Sequence, residues 1–174
     1  MEKQLCRKDI YRGRIINLFK DEVLLDNGRR TEREVIEHKG AVACLPFIGG
    51  NEIILVKQYR YPVKKEMYEI PAGIIEKGEN PERAVRRELL EETGYVSNNI
   101  EHVVNFYTSP GYSTEALYLY FAYNLKKEIP NLDYDESISL KLLPLSESLN
   151  MIKEGRICDA KTIIAIIIAS SKIF

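Results

Sequence analysis

Residues 73–95 read GIIEKGENPERAVRRELLEETGY, a glycine turn followed by a helix carrying more acid on one face than stability accounts for. Asn80 is a good N-cap, Pro81 suits the first helical position, and Glu82 complements the positive helix end. Gly94 can take the left-handed conformation that stops the helix. Within it Glu88, Glu91 and Glu92 fall at i, i+3 and i+4, so three carboxylates share one face. Like charges at that spacing repel by roughly a few tenths of a kcal/mol per pair. A cation among them removes the repulsion, and all-oxygen donors suit hard ions, Mg²⁺ first and Mn²⁺ second. The same helix also offers ordinary i,i+4 ion pairs, Glu82–Arg86 and Arg87–Glu91, as on any solvated face. The surplus acid points to a metal-dependent enzyme acting on phosphates.

The rest of the chain bounds that reading. A length of 174 residues suggests one domain with room for a substantial core. The net charge of −1 leaves no basic surplus to neutralise many phosphates, so a general nucleic-acid binder is not expected. An anionic substrate must be held locally, by metal and a few arginines. Cys6, Cys44 and Cys158 are odd in number and scattered, which suits reduced thiols in the cytoplasm rather than a disulfide framework or zinc site. The opening MEKQLCRKDIYRGR lacks the apolar core of a signal peptide. Residues 163–168 are apolar but too few to span a bilayer, so no membrane partner is expected and the segment reads as part of a buried helix.

Strand and helix patterns alternate without repeats or low-complexity segments. Residues 15–25 and 31–38 flank Asp26-Asn27-Gly28, a strong hairpin signal, and residues 41–47 and 52–59 flank Gly49-Gly50-Asn51 in the same way. Residues 67–70 lead into the glycine turn. Residues 100–108 and 116–124 are rich in aromatic and β-branched side chains, and residues 137–143 alternate as a further strand. Two helices follow, one opening at Leu145-Ser146 and closing at Gly155, the other over residues 160–172. This is an α/β chain: a domain over residues 41–174, preceded by a β extension over residues 1–40 placed well for an oligomer contact.

The spacing in the opening stretch carries a family resemblance. Gly73, five residues, Glu79, seven residues, then Arg87-Glu88-Leu89-Leu90-Glu91-Glu92-Thr93-Gly94 resembles the Nudix box, the signature of nucleoside-diphosphate-linked hydrolases. Tyr95 departs from it, since the box usually closes on an aliphatic residue. Around the box, Arg33-Glu34-Val35, Lys57-Gln58-Tyr59-Arg60, Glu69-Ile70-Pro71-Ala72-Gly73 and Ser109-Pro110-Gly111, with Glu115 beyond it, are similar to the ADP-ribose pyrophosphatase group of that family. The resemblance implies an α/β/α sandwich with a mixed sheet and an N-terminal antiparallel β-hairpin extension. It also implies a homodimer in which the N-terminal strands cross between subunits.

Residue by residue, the resemblance makes Glu88 and Glu92 principal metal ligands, with Glu91 a third and the Ala72 carbonyl a fourth. Glu79 and Arg87 would hold the loop against the helix. In the Asp133-Tyr134-Asp135-Glu136 loop, Glu136 matches the place of a general base, metal ligand or water-positioning group. Arg60 matches a residue near the pyrophosphate and Arg33 one that approaches the nucleotide across the dimer. Glu115 completes the SPG element. Glu69 either lines the substrate pocket or partners one of the arginines. Cys158-Asp159-Ala160-Lys161-Thr162 is similar to the start of the family's C-terminal helix, with Asp159 or Thr162 capping it. The implied reaction is Mg²⁺-dependent hydrolysis of ADP-ribose to AMP and ribose 5-phosphate, with GDP-mannose or another nucleoside diphosphate sugar as the alternative substrate. A regulatory domain that binds without cleaving should have lost a box carboxylate, and none is missing here.

Overall fold

The computed structural model describes residues 1–128 and 138–173. Glu136, its acidic loop and Ser137 lie outside the described residues. The chain divides into two compact units, Met1–Ala41 with Phe106–Leu117, and Val42–Asn105 with Tyr118–Phe174.

The first unit is built on three antiparallel strands, β1 (Lys3–Arg12), β2 (Ile16–Leu24) and β3 (Arg30–His38), in the order β1-β2-β3. Asp26-Asn27-Gly28 makes the expected β2–β3 hairpin, with Leu24 opposite Arg30. On β2, Phe19, Asp21 and Val23 alternate into the buried face. Asp21 is tolerated there because Arg7 donates to it from Nε and Nη2 at 2.8 and 2.7 Å, which holds its carboxyl below the usual range. The guanidiniums of Arg7 and Arg12 lie 4.3 and 4.7 Å from the Phe19 ring centroid.

Strand β1 adds a third strand to the expected hairpin. All ten of its residues are exposed, so no apolar alternation marks it in the sequence. Backbone pairing with β2 and the reach of Arg7 across to Asp21 hold it. The far edge of β3 is capped by the Ser109–Glu115 turn: the Ile36 N–H donates to the Tyr112 carbonyl at 2.7 Å, and Thr114 N–H returns to Ile36 O at 2.9 Å.

The remaining elements lie mainly in the second unit. They are β4 (Ala41–Gly49), β5 (Glu52–Arg60), β6 (Lys65–Glu69), β7 (Ala72–Ile74), α1 (Pro81–Thr93), β8 (Tyr95–Val96), β9 (Asn99–Tyr107), β10 (Ala116–Tyr123), β11 (Lys126–Lys127), β12 (Ser139–Pro144), α2 (Leu145–Lys153) and α3 (Ala160–Ile173). The main sheet runs β12-β5-β4-β10-β9, with β6 beside β5 and β7 beside β4; β8 and β11 pair separately. Its centre is covered on both faces, which is why β4 and the first half of β5 are unbroken apolar runs rather than alternating ones. Val42, Cys44, Tyr120 and Ala122 point to one face and form a core cluster with Ala84, Val85 and Leu89 of α1. Helices α2 and α3 pack together and reach β12 and β6, completing the expected mixed α/β sandwich.

Helix α1 starts and stops where its sequence dictates. The Asn80 Oδ1 accepts from the Arg83 N–H at 2.8 Å, Pro81 fills the first position, and Gly94 turns left-handed at φ 70°. Its apolar face is consumed by the sheet, which leaves the carboxylate face directed at β7 and the loop before the helix.

Candidate active site

Arg87 organises the carboxylates. Its Nε and Nη2 donate to Glu79 at 3.2 and 3.1 Å, Nη2 also to the Ile74 carbonyl at 3.1 Å, and Nη1 to Glu88 at 2.6 Å and Glu91 at 2.9 Å. One guanidinium therefore ties the loop, β7 and two turns of α1 together, a geometry that only the planar five-donor fork allows. The hydrogen bonds to Glu79, ahead of those to the other carboxylates, raise the Arg87 pKa, and Arg87 in turn lowers that of Glu79. Glu79 also closes its own loop by accepting from the Glu76 N–H at 3.1 Å. These contacts join the loop that carries Glu79 to α1 through Arg87.

Two of the carboxylates are fitted to β7. Glu92 is only 5% exposed, and its Oε2 accepts from the Ala72 N–H at 3.0 Å. Glu88 lies against Gly73 so closely that a Cβ on that residue would stand 2.1 Å from the Glu88 Cδ. Glycine at 73 is thus a space requirement of the carboxylate. The Ala72 N–H thereby ties β7 to α1.

A second charged assembly lies at the end of β6. Arg60 grips Glu69 with Nε and Nη2 at 2.7 and 2.8 Å, and Lys161 Nζ reaches the same carboxylate at 2.5 Å. Burial pushes the Glu69 carboxyl up, but Arg60 and Lys161 pull harder, and it settles at about 2. Glu69 is thus the shared carboxylate partner of Arg60 and Lys161. Lys161 also lies 3.1 Å from Asp159, which caps α3 by accepting from the Thr162 N–H at 3.0 Å. Thr162 Oγ1 donates to Asp159 and accepts from the Ile70 N–H at 2.8 Å, so the first turn of α3 is bolted to the strand end before Pro71-Ala72-Gly73.

Sequence reasoning missed Lys161. It stands 92 residues from Glu69 with no local pattern linking them. The available signal was Glu69 itself, a carboxylate between Tyr68 and the buried Ile70 that had to find cations.

Arg33 and Glu115 belong to the first unit. Arg33 pairs with Glu2 at 3.0 and 2.7 Å and lines an open groove of about 440 Å³ with Lys20, Glu32, Glu34, Gly111 and Tyr112. Glu115 accepts from Thr108 Oγ1 at 2.5 Å and lies 3.9 Å from His38 Nδ1. Within the second unit the structure brings together Ala72, Glu79, Arg87, Glu88, Glu91 and Glu92, and separately Arg60 and Glu69.

The donor chemistry on α1 fits a divalent cation, since Glu88, Glu91 and Glu92 offer only oxygens along one face. Among the described residues no three histidines, cysteines or carboxylates stand converged as a finished cage. Arg87 is the cation now balancing Glu88 and Glu91.

Comparison with known proteins agrees with this geometry. A NUDIX domain profile matches residues 37–165. The methanol dehydrogenase activator of Bacillus methanolicus is 45% identical over 95% of this chain and 90% of its own length. The ADP-ribose pyrophosphatase of Bacillus subtilis is 40% identical over the same shares of the two chains. A solved structure described as an ADP compounds hydrolase superposes with a TM-score of 0.86, covering 98% of this chain and 92% of that one at 21% identity, and so shares the fold. The carboxylate helix, the loop that Arg87 ties to it and the profile spanning both lead to one conclusion: the chain belongs to the Nudix hydrolase family.

Proposed function

We propose that this pyrophosphohydrolase cleaves ADP-ribose to AMP and ribose 5-phosphate in the cytoplasm, as a homodimer. The observation that carries the reading is the carboxylate face of α1 held between Gly73 and Arg87. The similarity to an ADP-ribose pyrophosphatase over nearly the whole chain directs it to that substrate. Divalent metals are general in the family, and Mg²⁺ is the choice for this donor set. Glu88, Glu91 and Glu92, with the Ala72 carbonyl, would hold it; bound there it neutralises phosphoryl oxygens and favours hydroxide from water.

The chain's own groups do the rest. Arg60 offers Nη1 to the pyrophosphate while Nε and Nη2 stay on Glu69. Glu136 takes the proton as a water oxygen bonds to phosphorus and the bridging P–O bond breaks toward the departing phosphate. Arg87 and Glu79 keep the carboxylates aimed at the reacting centre. Arg33 and Glu115 hold the nucleotide. The exposed strand β1, an edge strand, supplies the surface through which residues 1–40 meet a second copy.

Incubation with ADP-ribose and Mg²⁺ in ¹⁸O-labelled water, read by mass spectrometry, tests this. AMP and ribose 5-phosphate, one of them labelled, are expected, and the labelled product identifies the phosphorus attacked. Intact ADP-ribose beside cleaved GDP-mannose would move the assignment to another nucleoside diphosphate sugar. Saturable binding without cleavage of any sugar nucleotide would make this a regulatory domain. A second reading is favoured by the relative named a methanol dehydrogenase activator, namely that the chain raises the activity of such a dehydrogenase. Adding the chain to a methanol dehydrogenase assay checks it directly.

A further inference from the structure

Glu69 holds more cation than it needs. The Arg60 guanidinium already satisfies both of its oxygens in a bidentate pair, the strongest arrangement available to a carboxylate. Lys161 then adds a second full charge on Oε2, the oxygen that Arg60 Nη2 also occupies. An ammonium is costly to bury, and its side chain is only 13% exposed. Hydrogen bonding alone does not call for it, so what Lys161 contributes is charge.

Glu69 is 2% exposed, whereas the Arg60 side chain is 40% exposed. A bare Arg60–Glu69 pair is neutral, and Asp159 beside it would turn the neighbourhood negative toward an incoming phosphate. Lys161 supplies the second cation, and Arg60 is the open member of the group. Asp159 answers Lys161 through Oδ1 at 3.1 Å, so two cations face two carboxylates, and without the lysine charge Arg60 would stand alone against both. Arg60 also lies within the fields of Glu92, on the carboxylate helix, and of Asp159.

We infer that Lys161 is a positioning residue for substrate binding: by holding Glu69 from behind, it leaves the Arg60 guanidinium positive and fixed toward the substrate's pyrophosphate. This rests on the reading that Arg60 meets that group, and it does not depend on which sugar nucleotide is cleaved.

The test compares Lys161→Gln, which keeps a donor for Glu69 but no charge, with Lys161→Arg, which restores the charge. Lys161→Met, with a stem of similar length, is made alongside in case the amide is not tolerated. Steady-state kinetics are run on ADP-ribose and GDP-mannose, with thermal unfolding in parallel. A unit charge acting over about 10 Å at an effective dielectric near ~20 changes binding roughly tenfold. The neutral variants should therefore raise KM about tenfold while kcat stays within about threefold, and Lys161→Arg should bring KM most of the way back. Unchanged KM, equal damage from the neutral and arginine variants, or neutral variants that do not fold would each overturn the inference and leave Lys161 a strut. Which sugar nucleotide the wild type cleaves decides the functional reading; the ratio of variant to wild type on that substrate decides this one. Should the wild type cleave neither, calorimetric binding of inorganic pyrophosphate supplies the ratio.

Discussion

Replacing Gly73 by alanine should separate activity from stability. The added methyl would sit 2.1 Å from both Cδ and Oε1 of Glu88 and 2.4 Å from Oε2, where ordinary contact begins at 3.4 Å. The carboxyl must therefore retreat by about 1.3 Å, and its 2.6 Å contact with Arg87 Nη1 goes with it. The group displaced is the mobile end of a side chain, and Gly73 is not among the glycines with positive φ, so the backbone itself loses nothing. Stability should fall by about 1 kcal/mol or less, or roughly 2–4 °C in Tm for a chain of this size. Misplacing a group at the reacting centre by an ångström costs about 100-fold in rate. The expected outcome is a folded protein whose kcat/KM for ADP-ribose with Mg²⁺ is down about 100-fold, read by AMP release beside a circular dichroism melt. Activity within threefold of wild type would refute the reasoning, since Glu88 could then move without consequence. A Tm loss well beyond 10 °C would refute it too, placing the strain in the backbone.

Acid unfolding should report on Glu69. Its pKa is depressed from 4.5 to about 2, so its stabilisation is complete above the unfolded value and is lost as pH falls from about 4.5 toward 2. The amount is about 3 kcal/mol, and Glu69→Gln should flatten that part of a urea-unfolding series against pH; an unchanged slope would place the acid sensitivity elsewhere. Asn80→Ala removes the side-chain acceptor of the Arg83 N–H and should cost about 1 kcal/mol in denaturant unfolding, with the unfolding slope unaltered. Chelation with EDTA should abolish turnover and Mg²⁺ restore it, while the melt moves little because Arg87 still balances Glu88 and Glu91. Glu136→Gln should lower kcat far more than it weakens metal binding; a change confined to metal affinity, by titration calorimetry, would make Glu136 a ligand instead.

What could be read in advance was local. The cap at Asn80, the stop at Gly94 and the shared face of Glu88, Glu91 and Glu92 depend on residues within a few positions of one another, and their geometry follows from helix pitch. The Asp26-Asn27-Gly28 hairpin is legible for the same reason. Strand β1 is not, because pairing rather than side-chain burial makes it a strand, and pairing leaves no period in the sequence. The SPG turn is visible as a turn, but its attachment to Ile36 is a meeting of distant backbone groups.

The sequence by itself determined that this chain is an α/β protein with a Nudix box, and which carboxylates lie together on its helix. Only the tertiary structure decided what those carboxylates touch. It placed Arg87 against Glu79, Glu88 and Glu91 at once, set Gly73 under Glu88, and brought Lys161 onto Glu69 across 92 residues. The reason is physical: helix and turn periodicities are carried by near neighbours, whereas buried charge is satisfied by whichever opposite charge the packing of the sheet and helices delivers.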